Sequence, residues 1–402
     1  MKEVFIINRP LYTGRVFQYF EKNIIKILTG QRRVGKSFIL NFIARTIREQ
    51  NPDGNIISIN LEDFKFNHVR DSSALHEEIT TRLMPGRKNY IFIDEVQEVR
   101  DFDRVLRSLI LDGNNDIYVT GSNSSMLSTE MASRLAGRSV EIEVHPLSYN
   151  EFLDFHALEA GEESVKWYLR YGGLPYLRNL PERYNWEEYT EGIVNSIIFR
   201  DIVARHSIRN SDFLERLMLF LADNIGQLFS AKKISDFLKS QRTQVSVSGV
   251  QNYLRYISEA YLINKCRRWD VEGKRYFEIG EKYYYEDLGI RNSLVGFRPN
   301  DLSGTIENVV YNHLRINGYK VKTGQLVRGG EIDFIAEKDS EIKYIQVACT
   351  IEEESTIERE FGNLEKIDDN YEKMVVTLSQ SFPNSYRGIR VCNLLEFLTS
   401  FR

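Results

Sequence analysis

The sequence predicts an α/β fold: a parallel sheet core first, then a mostly helical middle, then a small α/β module. Three observations predict it. Short apolar runs alternate with longer helical patterns through the first 150 residues, helices dominate after Pro146, and a new set of strand-like pieces begins beyond Gly304. Continuous apolar strands separated by helical segments mark a parallel sheet covered on both faces. At about 150 residues per domain, the 402 residues make two to three domains, each large enough to bury its own core. With 42% hydrophobic and 27% charged residues, collagenous and wholly disordered classes are excluded. Lys+Arg 53 against Asp+Glu 57 leaves a net charge of -4, so a nucleic-acid partner requires a local basic patch.

The elements follow in order. Ile24–Thr29 reads as a buried strand, followed by a Gly-rich turn and an amphipathic helix from Ser37 to about Glu49. Further strands are expected at Asn55–Asn60, Tyr90–Asp94, Ile117–Gly121 and Val140–Val144. Helices are then expected at Tyr149 to about Ala160, Glu163–Tyr171 and Tyr189–Arg205, with the turn Gly172-Gly173-Leu174-Pro175 between the second and third. Three more (Phe213 to about Ile225, Ala231–Ser240, Ser248 to about Leu262) precede a hairpin of Ile263–Trp269 and Lys274–Ile279, the outline of a winged helix. The last module opens with a helix, Ile306–Asn317. Strands follow at Tyr319–Val321, Glu331–Ala336 and Ile342–Val347, then an acidic helical stretch, Ile351–Tyr371, and a strand at Lys373–Thr377. The boundaries expected are 1–155, 156–210, 211–298 and 299–402, the last set by the loop Gly296–Ser303 with Pro299.

The first strand and helix enclose G-x-x-x-x-G-K-S, at Gly30-Gln31-Arg32-Arg33-Val34-Gly35-Lys36-Ser37, with Phe38 next. Two glycines permit a backbone path that wraps phosphates with N–H groups, and the helix start adds its positive dipole end. Lys36 can reach terminal phosphate oxygens and Ser37 can ligate Mg²⁺. Asp94 and Glu95 end the third strand, one to hold the metal and one to polarise water, with Gln97 as an alternative for orienting water. In Thr120-Gly121-Ser122-Asn123, Asn123 is a candidate phosphate sensor, the other reading being a helix cap running on through Ser124 and Ser125. Arg138, and less so Arg134, are candidates to neutralise transition-state charge within the chain or from a neighbouring subunit.

With these pieces, the chain resembles AAA-family ATPases that carry the C-terminal domain of unknown function 4143. The resemblance runs through GQRRVGKS, IFIDEVQEV, TGSNSSML, SRLAGR, HPLSYNEF, YGGLP and EIDFIA, nearly the whole chain. It implies an ATP- and Mg²⁺-dependent ATPase in which Lys36 and Ser37 bind phosphate and Mg²⁺, Asp94 binds Mg²⁺ and Glu95 activates water. Asn123 and Arg138 carry over from the same family. Asn8-Arg9-Pro10-Leu11-Tyr12 matches a segment that in the family lies near the nucleotide base, which makes Arg9 a further binding candidate.

Between Lys232 and Arg275 ten Lys and Arg, Arg242 included, face four Asp and Glu, a surplus of six that makes duplex DNA one candidate partner. A protein partner, or a second copy of the chain in a nucleotide-switch scaffold, is the alternative. The last module resembles the restriction-endonuclease-like fold, with Glu307 on the opening helix, Asp333 in EID, and Gln346-Val347-Ala348 where that fold carries E-x-K. The lysine is absent and one ligand is neutral, so a catalytically degenerate scaffold is expected rather than a Mg²⁺-dependent nuclease. The six histidines show no ligand spacing and are expected as surface or capping residues. Cys266, Cys349 and Cys392 form no motif, the N-terminus lacks a signal-type apolar stretch, and no apolar run reaches the length of about 18 residues that a membrane span requires. A cytoplasmic protein is therefore expected.

Overall fold

The computed structural model describes residues 8–124, 134–180, 184–208, 210–240, 245–298, 301–327, 329–351 and 353–401. Ser125, Arg242 and Pro299, named above, and the serine that opens SRLAGR, Ser133, lie outside them. Two compact units divide the chain: 1–145 with 259–261, and 146–258 with 262–402.

In the first unit, α1 (Pro10–Phe17) leads into β1 (Ile25–Thr29), α2 (Lys36–Gln50), β2 (Asn55–Asn60), α3 (Ser72–Thr80), β3 (Asn89–Asp94), α4 (Phe102–Leu109), β4 (Asn115–Thr120) and β5 (Ser139–Glu143). The strands form one parallel sheet in the order β2-β3-β4-β1-β5. The central strands β1, β3 and β4 are buried along their whole length, as the unbroken apolar runs require. Alternation then sorts their side chains between two faces. Ile25, Ile27, Ile91, Ile93, Ile117 and Val119 meet Leu75, Ile79 and the apolar side of α4. Leu28, Tyr90, Phe92, Tyr118 and Ile142 meet α1 and α2 through Tyr12, Val16, Leu40 and Ile43. An ion pair enters this core. Lys26 on β1 pairs with Asp116 on β4, both fully buried, and Tyr118 Oη (2.7 Å) and the Glu21 N–H (3.0 Å) complete the carboxylate's bonds. A buried pair of this kind penalises any slip of β1 against β4.

The second unit begins with α5 (Tyr149–His156), α6 (Glu162–Tyr171) and α7 (Tyr184–Ser196), which runs on as π-helix over Ile197–Ala204. Helices α8 (Ser211–Asp223), α9 (Ala231–Ser240) and α10 (Val247–Glu259) precede the hairpin β6 (Ile263–Asp270) and β7 (Arg275–Tyr285). Then come α11 (Leu288–Val295), α12 (Leu302–Ile316), β8 (Lys320–Gln325), β9 (Glu331–Lys338), β10 (Glu341–Ala348), α13 (Glu354–Glu365), β11 (Glu372–Thr377), β12 (Ser385–Tyr386), β13 (Ile389–Asn393) and α14 (Leu394–Ser400).

The hairpin departs from expectation. Rather than standing apart as a wing, β6 pairs in parallel with β8, and one sheet runs β12-β13-β11-β10-β9-β8-β6-β7. The expected boundary at 299 therefore falls inside a single sheet. Sequence distance hid this pairing, because β6 and β8 are separated by two helices and a parallel partner needs no nearby turn. The acidic helical stretch is shorter than expected, ending at Glu365. His145 and His313 are buried rather than superficial, and the His313 ring bonds the Phe401 carbonyl at 2.9 Å.

Candidate functional site

The loop between β1 and α2 takes its shape from three left-handed residues: Gly30 (φ 135°), Arg33 (φ 67°) and Gly35 (φ 98°). At Gly30 a Cβ would stand 2.1 Å from the Val144 carbonyl oxygen, so the motif's first glycine is a steric necessity. Gly35 caps α2, whose first residue, Lys36, is buried and donates to the carbonyls of Gly30 (2.9 Å) and Gln31 (2.8 Å). Val34 is buried and holds the loop to the core, while Arg33 and Phe38 are exposed. The Gln31 amide donates to the Tyr261 carbonyl at 3.0 Å.

The ends of β3 and β4 meet the start of α2. Asp94 accepts hydrogen bonds from Ser37 and from Thr120 Oγ1, whose oxygen in turn accepts the Glu95 N–H at 2.9 Å. Thr120 thus fixes both carboxylate residues at once. Glu95 is left-handed (φ 55°), a costly conformation for a non-glycine residue that occurs most often at functional sites. Its carboxylate accepts from Ser122 Oγ (2.8 and 3.0 Å) and from Gln97 Nε2. Burial pushes both acids up. For Asp94 burial prevails, so its carboxyl lies above the usual range. For Glu95 burial is outweighed by the Lys36 charge, the Gln97 and Ser122 hydrogen bonds and the Arg32 charge, and it lies below. The two neighbours are therefore tuned apart, and Glu95 stays ionised at neutral pH. Asn123 is fully buried beyond the same end of β4.

Arg9 is buried and donates to the carbonyls of Val34 (2.8 Å) and His145 (3.0 Å), with its guanidinium 4.5 Å from the Tyr12 ring centre. Those bonds bind the N-terminal segment to the back of the loop. Arg138 is not brought to the loop. Its carbonyl accepts the Ile25 N–H at 2.8 Å, which puts it beside the start of β1, at the rim opposite the loop. The five residues of β1 separate the two rims by about 13 Å. Arg134 pairs with buried Asp103 at 3.5 Å.

In the second unit the expected trio does come together. Gln346 Oε1 accepts the Asp333 N–H (2.7 Å), Gln346 Nε2 donates to Glu360 (2.7 Å), and Asp333 Oδ2 accepts the Val347 N–H (2.9 Å). Sequence reasoning missed Glu360, Tyr284 and Lys282. Tyr284 donates to Glu307, and Lys282 on β7 reaches Glu307 (2.8 Å), Asp333 (3.3 Å) and Glu331. Burial, with Asp333 adding to it and Lys282 opposing, pushes Glu307 up to about 7. The one available signal for Lys282 was a lysine inside the strand segment Glu281-Lys282-Tyr283-Tyr284-Tyr285, where a lone charge needs buried partners.

Comparison with known proteins adds identity to this geometry. A model described as an AAA domain matches residues 22–153, the part that carries the loop, Asp94 and Glu95. Over 401 residues the chain is 35% identical to an uncharacterized protein of Haemophilus influenzae, covering 98% of each. It is 30% identical over 380 residues to one of Methanocaldococcus jannaschii, covering 91% of this chain and 82% of that one. The chain belongs to their family. The AAA domain of this family member is followed by a match, over residues 162–301, to a Domain of unknown function (DUF8612). That replaces the domain 4143 which the resemblance implied. Among solved structures, AMPPCP-bound DnaA from Aquifex aeolicus is 13% identical over 63% of this chain and 90% of its own, with a TM-score of 0.32. Domain III of the Thermotoga maritima replication initiation protein DnaA is 16% identical over 46% of this chain and 88% of its own, with a TM-score of 0.33. Among the described residues no helix is long and apolar enough to cross a membrane.

Proposed function

We propose that the AAA domain binds ATP with Mg²⁺ and hydrolyses it, and that nucleotide state is passed on to the C-terminal region. One observation carries the reading: Lys36, Ser37, Asp94 and Glu95 are gathered at the ends of β1, β3 and β4, with Glu95 held ionised. A hydroxyl bonded to a buried carboxylate is an oxygen donor pair suited to Mg²⁺, so Ser37 and Asp94 would hold the ion. Bound there, Mg²⁺ would neutralise charge on the transferring phosphoryl group. Lys36 adds a second positive charge, Glu95 takes the proton of the attacking water, and buried Asn123 reads the terminal phosphate. Arg9 acts by bracing the loop through Val34. The position of Arg138 supports action in trans, on another copy of the chain, rather than on its own loop.

Steady-state phosphate release tests the reading. Wild type releases phosphate from ATP; Glu95→Gln and Lys36→Ala each lower the rate at least about 100-fold, since each removes a group acting on the transition state. Equal rates in all three overturn it.

Duplex DNA and a protein partner remain the two readings of what the C-terminal region meets. The ion pairs of the basic segment do not remove its surplus. Arg275–Asp270 (3.4 Å) and Lys239–Asp236 (3.8 Å) engage acids already counted against it, while Lys265–Glu281 (2.6 Å) draws on it. Stimulation of phosphate release by duplex DNA at low salt would favour DNA, and its absence would favour a protein partner.

A further inference from the structure

We propose that Lys282 is the resident cation of the carboxylate site in the C-terminal sheet: its ammonium stands where a divalent ion would, and the site is closed to metal and to phosphodiester chemistry. This inference concerns the second unit and does not rest on the ATPase reading.

The argument is one of donor count. A lysine ammonium has three N–H donors and no acceptor. Lys282 Nζ contacts three carboxylates, those of Glu307 (2.8 Å), Asp333 (3.3 Å) and Glu331. Its side chain is only 3% exposed. Every donor is matched, and none is left for a water nucleophile or a phosphate oxygen. A lysine that serves phosphodiester cleavage has to offer one.

The carboxylates also take their positions from the ammonium. Among the described residues, Glu307, Glu331 and Asp333 do not form a group whose ligand atoms all lie within 4.8 Å of one another, the closeness that a shared ion needs. They are spread around Nζ instead. Their remaining bonds reinforce that spread: Tyr284 donates to Glu307, and the Val347 N–H donates to Asp333 at 2.9 Å. Gln346, where the restriction-endonuclease-like pattern carries an acid, spends its amide oxygen on the Asp333 N–H at 2.7 Å. A neutral residue there fits a site already supplied with its cation, because another carboxylate would add uncompensated buried charge.

The device has a structural return. Lys282 lies on β7, the edge strand of the hairpin expected as a wing, whereas Glu307 is on α12 and Asp333 on β9. The ammonium thus ties that edge strand to the helix and to the third strand inward from β7.

The test uses the full-length chain without nucleotide, carrying Asp94→Asn so that the acid proposed to hold Mg²⁺ in the AAA domain is gone. Mn²⁺ binding is followed by electron paramagnetic resonance. The unaltered Lys282 site takes up no Mn²⁺ that Asp333→Asn removes. Lys282→Ala, with its ammonium gone, gains one site at least about tenfold tighter than background, and the further change Asp333→Asn abolishes it. A folded Lys282→Ala that gains no site overturns the proposal. So does Mn²⁺ uptake with Lys282 in place that depends on Asp333, or Mn²⁺-dependent plasmid cleavage by the wild-type chain that Asp333→Ala abolishes. The last two outcomes are read on Lys282-containing protein and stand even if Lys282→Ala fails to fold.

Discussion

At the scale of single residues, the proposed ATPase reading makes the environment of Glu95 a prediction about pH. Burial alone would raise its carboxyl, yet the Lys36 charge and the hydrogen bonds of Gln97 and Ser122 bring it below the ordinary value. The ionised form is the one able to accept a proton, and it persists down to acid pH. Phosphate release in wild type is therefore expected to keep Glu95 from limiting the rate anywhere between pH 8 and pH 5. Ser122→Ala removes a hydroxyl that donates to both carboxylate oxygens. A hydrogen bond to a charged group contributes about 1.5 to 3 kcal/mol, and one pKa unit is about 1.4 kcal/mol, so the acid limb should move up by about one to two pH units. A pH–rate profile of the two proteins checks this, and an unmoved limb would mean that Ser122 holds Glu95 in place without tuning it. Much of this site was legible. Gly30, Lys36, Ser37, Asp94 and Glu95 follow from motif spacing, because phosphate wrapping constrains backbone and side chain together. The role of Thr120, whose hydroxyl donates to Asp94 and accepts the Glu95 main-chain N–H, was not legible. It depends on β3 and β4 being neighbours, which spacing along one strand does not encode.

At the scale of elements, the Gly172-Gly173 turn shows why a motif can be visible while its reason is not. A Cβ on Gly172 would stand 2.3 Å from an oxygen of Asp287, and one on Gly173 would stand 2.5 Å from the Leu147 carbonyl. Asp287 caps α11 through the Ile290 N–H (3.0 Å) and also accepts the Gly173 N–H (2.7 Å), so it joins a helix start to a turn 114 residues away. Burial raises its carboxyl to about 6, with the backbone N–H groups opposing. The folded chain then holds this proton over a window in which the unfolded chain has released it, from about pH 4 to about pH 6. Folded protein binds the extra proton, so stability falls as pH rises through that window, by about 3 kcal/mol at most for a shift of about two units. Asp287→Asn cannot titrate and should flatten this part of the stability curve, read from urea midpoints between pH 4 and pH 6.5. A slope equal to that of wild type would assign the dependence to other groups. The hairpin makes the same point about legibility. Its two strands and their turn were readable from local pattern, but its parallel pairing with β8 was not, because nothing local selects among distant parallel partners.

At the scale of the molecule, the two units give the ATPase reading a thermodynamic signature that requires no turnover. A ligand that binds only the folded state stabilises it by RT ln(1 + [L]/Kd), about 2.7 kcal/mol at a hundredfold excess over Kd. The loop, Asp94 and Glu95 all belong to the first unit, so Mg²⁺ and a non-hydrolysable ATP analogue should raise the unfolding transition of that unit. At about 2 to 4 °C per kcal/mol for a body of this size, the rise is about 5 to 10 °C. Lys36→Ala should abolish it, since the buried ammonium is the charge that the phosphates would meet. Calorimetry of the full chain reads this transition apart from that of the second unit. Were both transitions to rise together in wild type and neither in Lys36→Ala, the nucleotide would be stabilising the C-terminal region as well, which is what a switch requires. A rise confined to the first unit would leave ATP binding intact but remove coupling from the reading. Sequence alone reached the phosphate loop and the parallel core around it, because a phosphate loop and a run of apolar strands are local signals. It did not reach the single eight-stranded sheet or the role of the lysine on its edge strand, because both are made by residues that meet only after the chain has folded.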